Sequence, residues 1–192
     1  MERIGRALAR RETVAVAAIL LAAFAAFGMP RMRALMEEHT PAGGSFDTEF
    51  FYTPAQASDK ASLYGDAQAA ASVRAHWTYD LAFPLCYGFF SASAWAFGLS
   101  LLASGSRGPR FGLLLVPIAG SAFDLCENAA VSLFLAADPS GPAAGLLAAA
   151  ASAGTALKWL FVMPAFAGAV CLPAAGALAS YGRRRRGNGP DA

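Results

Sequence analysis

The sequence predicts an all-α membrane protein, a polytopic helical bundle with four transmembrane helices and a short extracytoplasmic helical hairpin. Of the 192 residues, 56% are hydrophobic and 15% charged, and the mean hydropathy is +0.43. The charges are pushed largely into the N-terminus, one long loop and the C-terminus. What remains is four apolar, non-alternating runs, each near the ~20 residues that cross a bilayer core of roughly 30 Å. In lipid such a run must satisfy its own backbone groups, which leaves the helix. The whole chain reads as one membrane domain with no internal repeat.

The spans fall at about 13–29, 79–103, 111–137 and 143–172. The first is the shortest and the last overlong, with Pro164 expected as a kink and Pro173 as a stop. Lys and Arg in short flanks stay cytoplasmic. Arg3, Arg6, Arg10 and Arg11 precede the first span, Arg107 and Arg110 separate the second and third, and Arg183 to Arg186 follow the fourth. The loop from Asp138 to Pro142 has no Lys or Arg. A cell-membrane protein with both termini cytoplasmic follows, its outer loop at 30–78 and a basic tail at 180–192. The outer loop's Arg31, Arg33, Lys60 and Arg74 are accompanied by Glu37, Glu38, Asp47, Glu49, Asp59 and Asp66. The basic start, apolar run and small residues Ala25, Ala26 and Gly28 also fit a cleavable signal peptide. The run is at the long end for one, and cleavage would leave three spans in the same orientation. The tail YGRRRR reads as a topological anchor touching anionic lipid headgroups, not as a nucleic-acid patch.

The outer loop carries local signals of its own. After the turn-forming Pro41 to Gly44, Thr53 can cap a helix, Pro54 suits its first position and Gln56 completes a capping box. Gly65 ends that helix and Asp66 begins another running through Val73 and His76. The hairpin is expected over the extracellular mouth of the bundle. Phe46, Phe50, Phe51, Tyr52, Trp77 and Tyr79 are expected as interfacial anchors, with a lid as the sharper alternative.

Charge inside apolar runs is costly unless paired, hydrated or neutralised, so intramembrane ionisable residues are the leading functional candidates. Asp124, Glu127 and Asn128 share one helix face through their three- and four-residue spacing, and Val131 continues it. Ser152, Thr155, Lys158 and Trp159 form a matching stripe on the fourth span. At a rise of about 1.5 Å per residue, Asp124 and Lys158 both lie roughly 18 Å below the outer surface, where they can pair. Glu127 is one turn nearer the outside, and Asp80 lies close to the outer interface with His76 one turn above it. Asp80, Asp124 and Glu127 against Lys158 leave two excess negative charges if all are ionised. Protonation, water, an ion or a cationic group must compensate. A protonated carboxyl there would suit an acid catalyst or proton relay, and equally a structural hydrogen bond between helices, where polar contacts average only about 0.6 kcal/mol.

Other features have plainer readings. Cys86, Cys126 and Cys171 lie within spans without CxxC or Cys/His spacing, so they read as small packing residues. Pro84, Pro117 and Pro164 are ordinary in membrane helices, and the alanine and glycine of the fourth span allow close packing. Glycine-rich phosphate loops, GxSxG, HExxH and CxxCH are missing from the sequence. His39 and His76 are the only histidines, which argues against a histidine-based metal centre in the bundle. No cofactor or metal is expected.

The order YTPAQA, HWTYDLAFPLCYG, FDLCEN and TALKW resembles an uncharacterised group of small bacterial four-span integral membrane proteins. That resemblance covers Phe46 to Trp159 and implies no activity. A fainter similarity is to the EXPERA membrane family, carried by Asp80 and Pro84 alone, and it implies a lipid or sterol pocket with a protonatable acid. The aromatic and acidic pattern expected later in that family is not clearly present.

Two readings from different classes follow. In the first, the polar column binds a lipophilic ligand or membrane partner, with Asp80, Tyr87, Asn128, Thr155, Trp159 and His76 as ligand-contacting residues. Partners are membrane lipids, a lipophilic small molecule, a second copy or another membrane protein, and no nucleic acid. In the second, the chain is a small isomerase, cyclase or hydrolase acting on a lipid-like substrate, with Asp124, Glu127 and Lys158 catalytic. The first ranks higher because an enzyme should more often show a nucleophile or second histidine. Proton or ion transport ranks third and would demand an oligomer, since secondary transporters usually carry more helices and internal repeats.

Overall fold

The computed structural model describes residues 2–39, 46, 49–103, 109–137 and 141–187, and every regular element among them is helical. The turn expected at 41–44, together with Asp47, Arg107 and Asp138, lies outside the described residues. A short helix α1 (Glu2–Leu8) leads into α2 (Arg11–Ala23), a π-helical turn (Phe24–Gly28) and α3 (Met29–His39). The outer segment contributes α4 (Pro54–Ser62) and α5 (Asp66–His76). Then come α6 (Tyr79–Leu102), a 3₁₀ turn (Phe111–Leu114) leading into α7 (Leu115–Ala136), and α8 (Ala144–Gly187). Four helices are long and apolar enough to cross a membrane, in the segments Arg11–Glu37, Asp66–Leu102, Phe111–Ala136 and Ala144–Arg185.

Two prolines behave differently from expectation. Pro30 does not open the outer loop, because the helix continues through α3. A proline ring clashes with the carbonyl four residues back. The wider turn just before it takes up that misfit, with Met29 N–H bonding Phe24 O, and the Arg31 guanidinium donates to Phe27 O at 2.7 Å. Pro173 does not end the last helix either, and α8 runs 44 residues with Pro164 and Pro173 inside it, a length of about 66 Å. Gly98 of α6 nests against this point: a Cβ there would sit 2.5 Å from Leu172 C and 2.6 Å from Pro173 N. Packing against a neighbour carries the helix past its missing donor, so the tail through Gly187 is helical rather than a free strand of arginines.

α6, α7 and α8 form the core, with α7 antiparallel to the other two, while α2 packs chiefly on α6 and α3 on α5. Only 6% of the first apolar segment is buried. One apolar cluster joins Trp95, Leu99, Phe111 and Leu114 at the α6 C-terminus, and Trp95 Nε1 donates to Ala165 O at 2.8 Å. The other joins Phe46, Tyr52, Ala57, Val131 and Phe134 at the opposite end. The basic flanks gather at the first of these ends. Arg183 donates to Leu101 O at 2.6 Å, and α1 docks there through Gly5, whose Cβ would meet the Phe111 ring at 2.3 Å. α4 and α5 cap the other end.

Cys126 and Cys171 are exposed on the outer surface and Cys86 is only partly buried, so the cysteines are not interior packing residues. The buried face of α7 is set by Asp124, Glu127, Asn128 and Val131, which turns Cys126 outward. Of the expected anchors, Phe50, Phe51 and Trp77 are exposed, but Phe46 and Tyr52 are buried inside the bundle.

Candidate functional site

Two glycines let the helices approach at the polar middle of the bundle. A Cβ on Gly88 of α6 would lie 1.9 Å from Ser121 Oγ, and one on Gly154 of α8 would lie 3.1 Å from Glu127 Cα. Pro84 adds a defect that α7 repairs. Lacking an N–H, Pro84 cannot bond the carbonyl of Asp80 four residues back, and Asn128 Nδ2 donates to that oxygen instead, at 3.0 Å. Ser121 Oγ donates to Pro84 O at 2.9 Å. Asn128 is therefore spent on helix repair through its amide N–H.

Lys158 stands between the two acids of α7. Its ammonium is 3.7 Å from Asp124 Oδ1 and in direct contact with Glu127 Oε2, and it lies 5.7 Å from the Trp159 ring centroid. Tyr87 donates its hydroxyl proton to Asp124 Oδ2 at 2.8 Å, its ring held between Phe83 and Phe166. Glu127 is 0% exposed and accepts from the Thr155 hydroxyl. That hydroxyl is also 3.2 Å from Tyr52 Oη.

The chain before α4 seals Glu127 from above. Ser152 Oγ donates to Tyr52 O, Trp159 Nε1 donates to Glu49 O at 3.1 Å, and Lys60 pairs with Glu49 at 2.5 Å while sitting 5.3 Å from the Phe46 ring centroid. This strap is held at its far end by the capping box, in which Gln56 N–H donates to Thr53 Oγ1 at 3.2 Å and Thr53 N–H to Gln56 Oε1 at 2.8 Å.

Beside Asp124 the bundle opens into a cavity of about 310 Å³, at the lower end of the roughly 300–1,000 Å³ usual for small-molecule sites. Its apolar walls are Met29 and Met32 of α3, Phe83 of α6, and Val162, Met163 and Phe166 of α8. Asp80, Tyr87, Asp124, Lys158 and Trp159 form its polar part. The residues singled out from sequence thus divide. Those five line the cavity, while Glu127 and Thr155 lie behind it under the strap. Asn128 serves the Asp80 carbonyl, and His76 Nδ1 lies 3.1 Å from Ser132 Oγ, away from the cavity lining. Among the described residues no group of three or more His, Cys, Asp or Glu is placed to hold a metal ion.

Sequence reasoning missed Met29, Met32 and Phe166, because the first two flank a proline read as the start of a loop and the third lies past a proline read as a kink. Tyr52 was readable as more than an anchor. It directly precedes the Thr53 cap, and with Ala57 four positions into the helix it makes a hydrophobic staple; both are buried in the same cluster. Comparison of the chain with protein-family models, with curated proteins and with solved structures finds no match in any of the three.

Proposed function

We propose that this membrane protein binds an amphipathic, lipid-like molecule in the cleft between α3 and α8. The observation that carries the reading is the division of one cavity into an apolar wall of Met29, Met32, Val162, Met163 and Phe166 and a polar end of Asp80, Asp124 and Lys158. Ligand sites combine that kind of apolar lining with a few placed polar groups. Met163 is exposed on the outer surface of the helices, so the cleft opens sideways, towards acyl chains when the bundle is in a bilayer. A ligand's tail lies against the methionines and Phe166, and its head donates to the carboxylates or accepts from the ammonium. The gathering of Arg3, Arg6, Arg10, Arg110 and Arg183 at one end of the bundle supports cytoplasmic termini, with the α4–α5 hairpin outside.

A second reading, a membrane enzyme on a lipid-like substrate, is favoured by the Tyr87–Asp124–Lys158 chain at the cavity wall. In that case Asp124 or Asp80 carries the proton, and Glu127, sealed from the cavity, sets the position of Lys158.

The test is identification by mass spectrometry of molecules that co-purify with the full chain. Met32→Trp, which fills the cleft, and Asp124→Asn, which changes its polar end, are expected to lose the bound species while remaining folded. Equal recovery from wild type and both variants would refute the reading.

A further inference from the structure

A second polar line enters the bundle from the hairpin side. Gln68, Ser72 and His76 recur at four-residue steps on α5 and are 2%, 2% and 4% exposed, in a helix packed against α3 and α7. His76 meets Ser132 of α7 at 3.1 Å, and one turn further along α7 stands Asn128, whose amide reaches the Asp80 carbonyl at 3.0 Å. Along this line both amide atoms of Gln68, the hydroxyl of Ser72 and Oδ1 of Asn128 are buried with no hydrogen-bond partner among the described residues. Each such group carries a desolvation penalty if it stays unpaired. Several in one row, in a packed helix that has no need of them for apolar contact, are the signature of bound water. At the outer end of the row a separate cavity of about 310 Å³ lies against Tyr64, Asp66, Ala69 and Phe134, beside Gln68 in sequence.

We propose that Gln68, Ser72, His76, Ser132 and Asn128 hold a file of bound water that runs from the hairpin end of the bundle to Asp80 at the polar end of the cleft. Each side chain on the route donates or accepts, so the file carries water and protons to the intramembrane carboxylates by a route distinct from the sideways mouth between α3 and α8. This assignment does not depend on what the cleft binds.

Hydroxyl-radical labelling by X-ray radiolysis, read by mass spectrometry on the full chain in lipid nanodiscs, tests it, because bound water generates radicals beside buried side chains. After correction for intrinsic reactivity, His76 is expected to label at the level of the exposed Trp77 and far above Tyr52, which is as deeply buried. Gln68→Leu combined with Ser72→Ala is expected to lower His76 to the level of Tyr52 and to leave Trp77 unchanged. Ser91→Ala, which removes a buried hydroxyl elsewhere in α6, is expected to change neither. His76 labelling no higher than Tyr52 in wild type overturns the proposal, as does labelling that survives in the folded double variant. Should that variant fail to fold, the wild-type comparison of His76 with Tyr52 decides alone.

Discussion

Asp124 and Glu127 stand one turn apart on the same face of α7 and share one lysine, yet their surroundings differ. Glu127 lies where Gly154 brings α8 closest, under the Tyr52 strap, with Thr155 on one oxygen and Lys158 on the other. Asp124 lies where α3 stands off from α8, so its carboxylate meets Tyr87 and a cavity instead of a lid. The same side-chain type at neighbouring positions is thereby a fastener in one place and a cavity-lining group in the other. What separates them is helix spacing, set by a glycine and by a loop, rather than anything in the acids themselves.

The largest effect expected from breaking this contrast is at the fastener. Glu127→Ala leaves the buried ammonium with only its longer, 3.7 Å contact to Asp124 and should cost about 3 kcal/mol, the low end for breaking a buried pair, read as loss of thermal stability of the purified chain in detergent. Lys158→Met added to it should restore part of the loss, because it removes the under-compensated ammonium while Asp124 keeps the Tyr87 hydrogen bond. Asp124→Asn keeps an acceptor for Tyr87 and should lose far less stability than Glu127→Ala in the same assay.

Next in size is the repair of the Pro84 defect. Asn128→Leu strands the Asp80 carbonyl and should cost about 1–3 kcal/mol. Pro84→Ala supplies the missing backbone N–H, so a double-mutant cycle should show that Asn128→Leu costs less in the Pro84→Ala background. Additivity of the two changes would contradict the assigned role. Gly154→Val should cost a similar amount, about 1–3 kcal/mol from overpacking against Glu127, whereas Gly145→Val, where a Cβ meets nothing within 4 Å, should cost less. The smallest expected effect is at the strap's anchor: Thr53→Ala removes one side of the capping box for about 1 kcal/mol. It should raise amide exchange in α4 without moving exchange in α6.

Much of this was legible from the chain. The apolar runs read at 79–103 and 111–137 are helical at Tyr79–Leu102 and Phe111–Ala136. The Thr53–Gln56 box forms with both of its bonds, and the equal depth inferred for Asp124 and Lys158 agrees with their 3.7 Å approach. Such features are local, or follow from helical rise alone. Pro30 and Pro173 were misread because a proline's effect depends on whether a neighbouring element relieves it, here a π turn with Arg31 in one case and Gly98 in the other. Asn128 looked like a ligand residue because its partner, a backbone carbonyl freed by a proline on another helix, has no mark at position 128. The burial of Phe46 and Tyr52 depended on a gap between helices that residue spacing does not encode.

Native mass spectrometry combined with thermal unfolding, on wild type, Asp124→Asn and Glu127→Gln, addresses the division of α7 most directly. The proposed binding cleft predicts that Asp124→Asn sheds a bound amphipathic species with little loss of stability, and that Glu127→Gln loses stability while its folded fraction keeps that species. Identical behaviour of the two variants, or a bound species indifferent to Asp124, would contradict it.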